Sequence, residues 1–394
     1  MLFRSVVIIE AKRTPVGAFQ GELSPVSSTK LGAMVIKDLL ASASIESDQV
    51  DEVIMGNVLS AGLGQAPARQ SALYAGLPNS VECLTINKMC GSGLKAVMLG
   101  EQIIKSGDAG VIIAGGMESM SNAPYLLPKA RNGFRLGHGQ TLDSIIHDGL
   151  WDAYNDKHMG NCAEICARDR NYSREAQDAF AIESYKRAQK AESKSWFRNE
   201  LVSVEIPNRK GDPLIISRDE EPTRAKFDKI PHLRPAFEKD GTITAANASK
   251  INDGAAAVLM MSEEKATELG LSPKVRIVGQ ASAAHAPEWF TTAPGKAISK
   301  VLEKTGLTAE DIDLWEINEA FAPVAMAAMD DFNLSHENVN IHGGAIAIGH
   351  PIGASGARIL TTLIHAMERV NAKRGLATLC IGGGEASALI VERI

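Results

Sequence analysis

A chain of 394 residues, 45% hydrophobic and 22% charged, is long enough for two or three domains and has the makeup of a water-soluble globular protein. Its 47 acidic and 41 basic residues leave a net charge of −6, so no broad basic surface points to nucleic acid. No apolar run approaches the roughly 20 residues that a membrane helix needs. Five scattered cysteines, an odd number, suggest a reducing, cytoplasmic setting rather than a disulfide framework.

Residues 1–10 turn acidic too soon for a signal peptide and read as a first buried strand. A helix is expected over 29–40, where Leu31, Val35 and Leu39 recur at helical spacing behind Ser28 as N-cap. A strand at 51–58 and an Ala-rich helix at 65–75, stopped by Gly76, come next. The strand 82–89 then runs into Cys90-Gly91-Ser92-Gly93, and Leu94, Val97 and Met98 open a helix that ends at Gly107. Cys90 therefore sits at a helix start, where unpaired N–H groups and the helix dipole favour a thiolate. Taken alone, a buried and inert thiol is the commoner reading of such a cysteine. The β-branched run at 111–116 is a fully buried strand. Strands alternating with helices predict a parallel or mixed α/β sheet.

The last third of the chain repeats this order. Residues 36–51 line up with 298–313 at a constant offset of 262, and Ser92-Gly93 meets Ser355-Gly356 at 263. A third match, Ala114-Gly115-Gly116 with Ile381-Gly382-Gly383, falls at about 267. Such ordered matches argue for two copies of one α/β unit whose equivalent loops meet at a shared site. Between the copies lies a segment of different character, with two polar helices near 160–171 and 174–193 and an irregular run over 207–240. The expected organisation is an N-terminal half at 1–120, an inserted loop subdomain at 121–248, a return to the first half at 249–272, and a C-terminal half at 273–394.

Chemistry gathers on four stretches: the Cys90 loop, 318–323 after the strand 314–317, the Gly-rich run 342–358 containing His350, and 380–385. Each has a bland reading: a satisfied histidine, a packing cysteine, turns made by glycine. The glycines do not form the G-x-G-x-x-G pattern of a dinucleotide site. The repeat brings Cys90, His350 and Cys380 together, which favours a nucleophile-and-base arrangement. Cys162 and Cys166, four apart on a helix and without a second pair of ligands nearby, read as packing residues, and no metal is expected.

The motifs 87–95, 115–121, 318–321, 343–358 and 380–384 resemble those of the thiolase family over essentially the whole chain. Within it, His158-Met159-Gly160 and the loop 131–140 are similar to the acetyl-CoA C-acetyltransferase type. The resemblance implies the thiolase fold, two duplicated halves in a layered αβαβα arrangement with the insertion. It also implies a reversible Claisen condensation of two acetyl-CoA to acetoacetyl-CoA and CoA. These thioesters are substrates, and no cofactor, nucleic acid or membrane is expected. Cys90 would carry the acetyl group, His350 would take the Cys90 proton, and Cys380 would remove the α-proton of the second substrate. Oxyanion donors would be His350 with an Asn318-held water at one hole, and the N–H groups of Cys90 and Gly382 at the other. Ser249 would contact pantetheine and Arg224 the nucleotide phosphates, while Leu150, His158, Met159, Ala320 and Phe321 would line the acyl pocket. A cytoplasmic homotetramer is implied through the loop 131–140. Three positions depart from the usual pattern: His342 in place of Asn, Glu385 after the third glycine, and Phe290-Thr291, which resembles relatives that tolerate 2-methyl branches. The rivals are a broad-chain 3-ketoacyl-CoA thiolase of β-oxidation, against which Met159 speaks, and a ketoacyl synthase, against which Cys380 speaks.

Overall fold

The computed structural model describes residues 4–208 and 211–394. The first three residues of the expected N-terminal strand, and 209–210 in the irregular run, lie outside the described residues. The strands that build the main sheet are β1 (Val6–Arg13), β2 (Glu52–Gly56), β3 (Glu82–Ile86), β4 (Val111–Ser119), β5 (Asn252–Ser262), β6 (Val275–Ala284), β7 (Leu314–Ile317), β8 (Arg374–Ile381) and β9 (Glu385–Arg393). The helices are α1 (Ser28–Ala43), α2 (Pro67–Tyr74), α3 (Ser92–Ser106), α4 (Met159–Asp169), α5 (Arg174–Ser193), α6 (Glu263–Glu268), α7 (Ala293–Thr305), α8 (Ala322–Phe332), α9 (Ala345–Ile348) and α10 (Ser355–Val370).

In space these nine strands run β7-β8-β9-β6-β1-β5-β4-β2-β3, and the short strand Gly17–Ala18, paired with β5, makes the sheet 10-stranded. Each half has the same pairing: β2 and β4 are parallel, then β4, β5 and β1 antiparallel; β7 and β8 are parallel, then β8, β9 and β6 antiparallel. Within the sheet the halves join where Val7 pairs with Arg276 and Ile8 with Val275. Val7 faces Met261, which faces Val111; Arg276 faces Glu392, which faces Arg374. Val7 and Arg276 are thus equivalent residues paired with each other, as a local twofold axis requires.

A repeated local device marks the same relation. Asp51 Oδ2 accepts from the N–H groups of Gly110 and Val111, and Asp313 Oδ2 accepts from those of Lys373 and Arg374. The ladders correct one part of the sequence alignment. Met55 pairs with Gly115 and its counterpart Ile317 pairs with Thr378, so the offset stays at 263 through β4 and β8. Ala114-Gly115-Gly116 corresponds to Ala377-Thr378-Leu379, and the glycines at 382–384 are a hairpin turn.

Strand residues alternate between layers, as a two-sided buried sheet demands. Val111 and Ile113 pack outward against α1 and α2, whereas Ile112 and Ala114 pack inward with Leu94, Val97, Ile359 and Leu363 of α3 and α10. On the far side Trp315, Leu376 and Ile390 pack against α7 and α8. The result is an αβαβα stack with α3 and α10 in the middle. In the second half β8 turns into β9 through residues 382–384, but in the first half β4 and β5 are equally adjacent and the chain between them carries α4, α5 and their loops. That longer connection leaves the sheet after Ser119 and returns at Asn252.

The central helices cross at their first turns. A Cβ on Gly356 would sit 2.3 Å from the Leu94 nitrogen, and one on Gly93 2.8 Å from the Ala357 nitrogen. Main chain cannot yield as a side chain does, so Gly356→Ala is expected to cost at least the roughly 1–3 kcal/mol of an overpacked core. The measurement is the urea midpoint, and an unchanged midpoint would contradict the close crossing.

Candidate active site

The Cys90 loop is a tight turn between β3 and α3. Met89 adopts φ +47°, uncommon outside glycine, and strain of this kind costs on the order of 1–3 kcal/mol. Short contacts hold it. Asn87 Oδ1 accepts from the Met89 N–H at 2.9 Å, Ser92 Oγ donates to the Met89 carbonyl at 2.6 Å, and Ser92 Oγ accepts from the Lys88 N–H at 2.8 Å. Gly91 makes room here for Ile381, whose Cδ1 would lie 2.3 Å from an added Cβ. This apposition seats the Cys90 turn on the end of β8, where Cys380 is buried. The Gly382 N–H is directed at the Cys90 sulfur, and the two thiols are near enough for a charge on Cys90 to disfavour one on Cys380.

His350 follows Gly349, whose φ of +120° an ordinary side chain would rarely adopt. The His350 N–H donates to Asn252 Oδ1 at 2.9 Å, tying the loop to the first residue of β5. Its Nδ1 lies 2.5 Å from Ser355 Oγ, which donates its single proton to the Pro351 carbonyl at 2.9 Å. Ser355 is therefore left to accept, His350 Nδ1 carries the hydrogen, and Nε2 keeps its lone pair. That Nε2 is buried with no protein partner. Asn318, at the end of β7, places its Nδ2 3.5 Å from His350 Nδ1.

Burial decides the protonation states. It pushes the Cys90 thiol up to about 11, outweighing the opposing N–H groups of Gly382 and of Cys90 itself. The thiolate expected from the helix start is thus not the resting form: α3 does begin at Ser92, but desolvation outweighs its dipole. Burial, with Cys90 nearby, raises Cys380. His350 is pulled down to about 3, by burial first and by the Arg358 charge second. The resting site is two thiols and a neutral imidazole.

A cavity of about 220 Å³ opens beside this cluster, and Leu150, His158, Ser249, Phe321 and His350 line it. His158 caps α4, its Nδ1 accepting from the Gly160 N–H at 3.0 Å, and stacks on Phe237 with centroids 4.9 Å apart. Phe321 meets Phe237 and Phe290 edge-on at 5.9 and 6.2 Å. Met159 and Ala320 pack in the same apolar group as Cys380. Arg224 stands apart: exposed on the insertion, it pairs with Glu220 at 3.3 Å and is not among the lining residues.

Several contributors carried no individual assignment from the sequence. Glu118, within the quoted motif 115–121, accepts from the N–H groups of Val58, Leu59 and Gly353 at 2.9–3.2 Å and so braces the loop that leads to α10. Burial lifts its carboxyl to about 7. Lys250, next to Ser249, donates to the carbonyls of Ala248 at 2.8 Å and Ile346 at 3.2 Å, and burial lowers its ammonium to about 8. Phe237 lies in the irregular run, where no periodicity singles it out. Two of the departures acquire partners. His342 accepts from Arg369 Nε at 2.8 Å and rests against Trp196 and Phe197, which makes it a strut to the insertion. Glu385 pairs with Lys88, linking the 382–384 hairpin to the Cys90 turn.

The comparisons with known proteins agree with this geometry. Residues 6–264 match the description "Thiolase, N-terminal domain" and residues 271–393 match "Thiolase, C-terminal domain". The chain is 52% identical to an acetyl-CoA acetyltransferase of Allochromatium vinosum, covering 99% of both chains. It is 49% identical to the enzyme of that name from Schizosaccharomyces pombe, covering 100% of both. A crystal structure of the Bacillus anthracis acetyl-CoA acetyltransferase superposes with a TM-score of 0.97 at 40% identity, over 100% of this chain and 99% of that one. The Acat5 thiolase of Ascaris suum, solved in complex with coenzyme A, gives 0.94 at 43% identity, over 99% of this chain and 100% of that one. With the two halves, the paired thiols and the family descriptions in agreement from residue 6 to residue 393, this chain belongs to the thiolase family.

Proposed function

We propose that this chain is an acetyl-CoA acetyltransferase, joining two acetyl-CoA into acetoacetyl-CoA and CoA and running the reverse cleavage. The observations that carry the reading are that half-buried Cys90, with the Gly382 N–H directed at its sulfur, neighbours buried Cys380, and that neutral His350 keeps a buried Nε2 without a protein partner. Full-length identity near 50% to enzymes of that name supports it.

The steps follow from the resting protonation. Cys90 Sγ attacks the thioester carbonyl while its proton passes to His350 Nε2. The C–S bond to CoA breaks, and CoA departs with the Cys380 proton. A cation on His350 and an anion on Cys380 arise together, so the pocket stays neutral overall, as a desolvated site requires. Cys380 then takes the α-proton of a second acetyl-CoA, and the carbanion attacks acetyl-Cys90. As acetoacetyl-CoA forms, the Cys90 sulfur leaves and recovers its proton from His350. Negative charge on each thioester oxygen calls for donors: His350 and an Asn318-held water at one hole, the N–H groups of Cys90 and Gly382 at the other. One such donor is worth roughly 10²–10³ in kcat. Removal of Cys90 is expected to cost about 10⁴-fold or more.

Ser249 and His158, which line the cavity, would receive pantetheine, and Leu150, Met159, Ala320 and Phe321 would surround the acyl group. Exposed Arg224 is free to swing toward nucleotide phosphates outside the cavity, and CoA thioesters are substrates with no further cofactor needed. We also favour a cytoplasmic homotetramer. Five free cysteines suit a reducing compartment, and Phe134 and Leu136 on the loop 131–140 expose apolar surface that a partner copy would cover. Among the described residues no helix is long and apolar enough to cross a membrane.

Two measurements test the reading. In thiolysis of a 3-ketoacyl-CoA series, activity should fall steeply beyond six carbons, because Phe237 and Phe321 wall the cavity and Met159 and Phe290 pack in the same apolar group; flat activity to long chains would favour the β-oxidation alternative. Thiolate absorbance of the wild type minus Cys90→Ala should show no Cys90 step below pH 9. With the folded pKa raised to about 11, the charged form is populated only above that range. A step near pH 7 would contradict the neutral resting pair.

A further inference from the structure

Asn318 has a side chain whose two ends do opposite things, and only one orientation serves an oxyanion. Its neighbour on the inner side is Arg358, one turn into α10 and 2% exposed, with Nη2 3.5 Å from Asn318 Oδ1. A guanidinium has five donors and no acceptor, so the amide end facing it must be the oxygen. The amide nitrogen is thereby turned to the His350 side, 3.5 Å from Nδ1; because Nδ1 gives its hydrogen to Ser355, that contact is not a hydrogen bond and the amide N–H groups keep no acceptor there.

Arg358 is itself held from β7. Glu316 is two residues before Asn318, hence on the same face of the strand, and its Oε2 lies 3.6 Å from Arg358 Nη1. Arg358 Nε and Nη1 are buried without hydrogen-bond partners, and so is Glu316 Oε2. Glu319, Glu200 and Arg13 are the other charged groups acting on the guanidinium. Glu319 is already occupied by Ser184, Asn340 and the Ile346 N–H, and Glu200 by Arg13 and Thr362. A charged side chain kept in the interior with so few partners of its own is costly unless it serves something else. The group it reaches is the carboxamide at the site.

We infer that Arg358, braced by Glu316, is a positioning residue that locks the Asn318 amide with its oxygen inward and its NH₂ toward the reacting thioester. The inference rests on the oxyanion role proposed for Asn318. Without the guanidinium the amide is free to rotate by half a turn and present its oxygen to a developing negative charge.

The test is a double-mutant cycle on kcat per active site, with sites counted by iodoacetamide labelling of Cys90. Arg358→Lys keeps the charge but loses the planar fork. It should lower kcat about tenfold or more, a sizeable part of the effect of one oxyanion donor, while KM changes by less than about threefold. In an Asn318→Ala background the same substitution should lower kcat by less than about twofold. If Arg358→Lys folds poorly, the apolar pair Arg358→Met with Glu316→Leu removes the guanidinium and its carboxyl partner together and should show the same kcat loss, again absent in the Asn318→Ala background. Full multiplication of the two losses would overturn the positioning role while leaving Asn318 as a donor. An Asn318→Ala enzyme with wild-type kcat would instead remove the oxyanion reading itself, and this inference with it.

Discussion

The site depends on two glycines that let two helices start in contact. Gly93 and Gly356 occupy equivalent positions in the two halves, and each would drive a Cβ into the main chain of the other helix. Because α3 and α10 meet at their first turns, the loops that precede them meet as well. One ends in Cys90 and the other contains His350. The hairpin of β8 and β9 comes in beside them through Ile381, which fills the space over Gly91. A duplicated unit without this crossing would hold the same residues on separated loops.

Desolvation then governs the chemistry. A helix N-terminus stabilises a thiolate by a modest amount, whereas burial of a charged sulfur costs more, and Cys90 consequently rests as a thiol. The same burial holds His350 neutral, and Ser355 selects its tautomer. Such a site gains by moving protons between partners rather than by storing charge. Two cysteines suit that pattern, since one forms and breaks a thioester while the other exchanges a proton. The charges that do remain, on Arg358 and Arg13, sit one layer deeper and act through fixed side chains, while burial raises the Glu316 carboxyl to about 8.

Much of this was legible in the residues. Period and run length located the long elements as far as β4, with α5 matching to the residue and β7 likewise, while β6, α8, α10 and β9 went unmarked. The shared offset of 262–263 revealed the duplication, and the motifs mark two pairs that the fold brings together, Asn318 with His350 and Cys90 with Cys380. The match at 267 misled because a glycine pair inside a strand and a glycine pair in a hairpin look alike, and only the ladder distinguishes them. Contacts made across long sequence separations were not legible. Nothing near Phe237 signals its stacking on His158, and nothing near Arg358 signals Asn318. The helix start at Cys90 carried a local electrostatic cue, but the depth of burial that outweighs it is a property of the assembled layers.

The central claim is a division of labour between the sulfurs, with Cys90 carrying the acetyl group and Cys380 moving the proton. Intact-mass measurement of Cys380→Ala after exposure to acetyl-CoA tests it most directly, since His350 alone can return a proton to the departing CoA. The account predicts one acetyl group on Cys90 and no acetoacetyl-CoA. A folded Cys380→Ala enzyme that takes up no acetyl group, or one that still turns over, would contradict it.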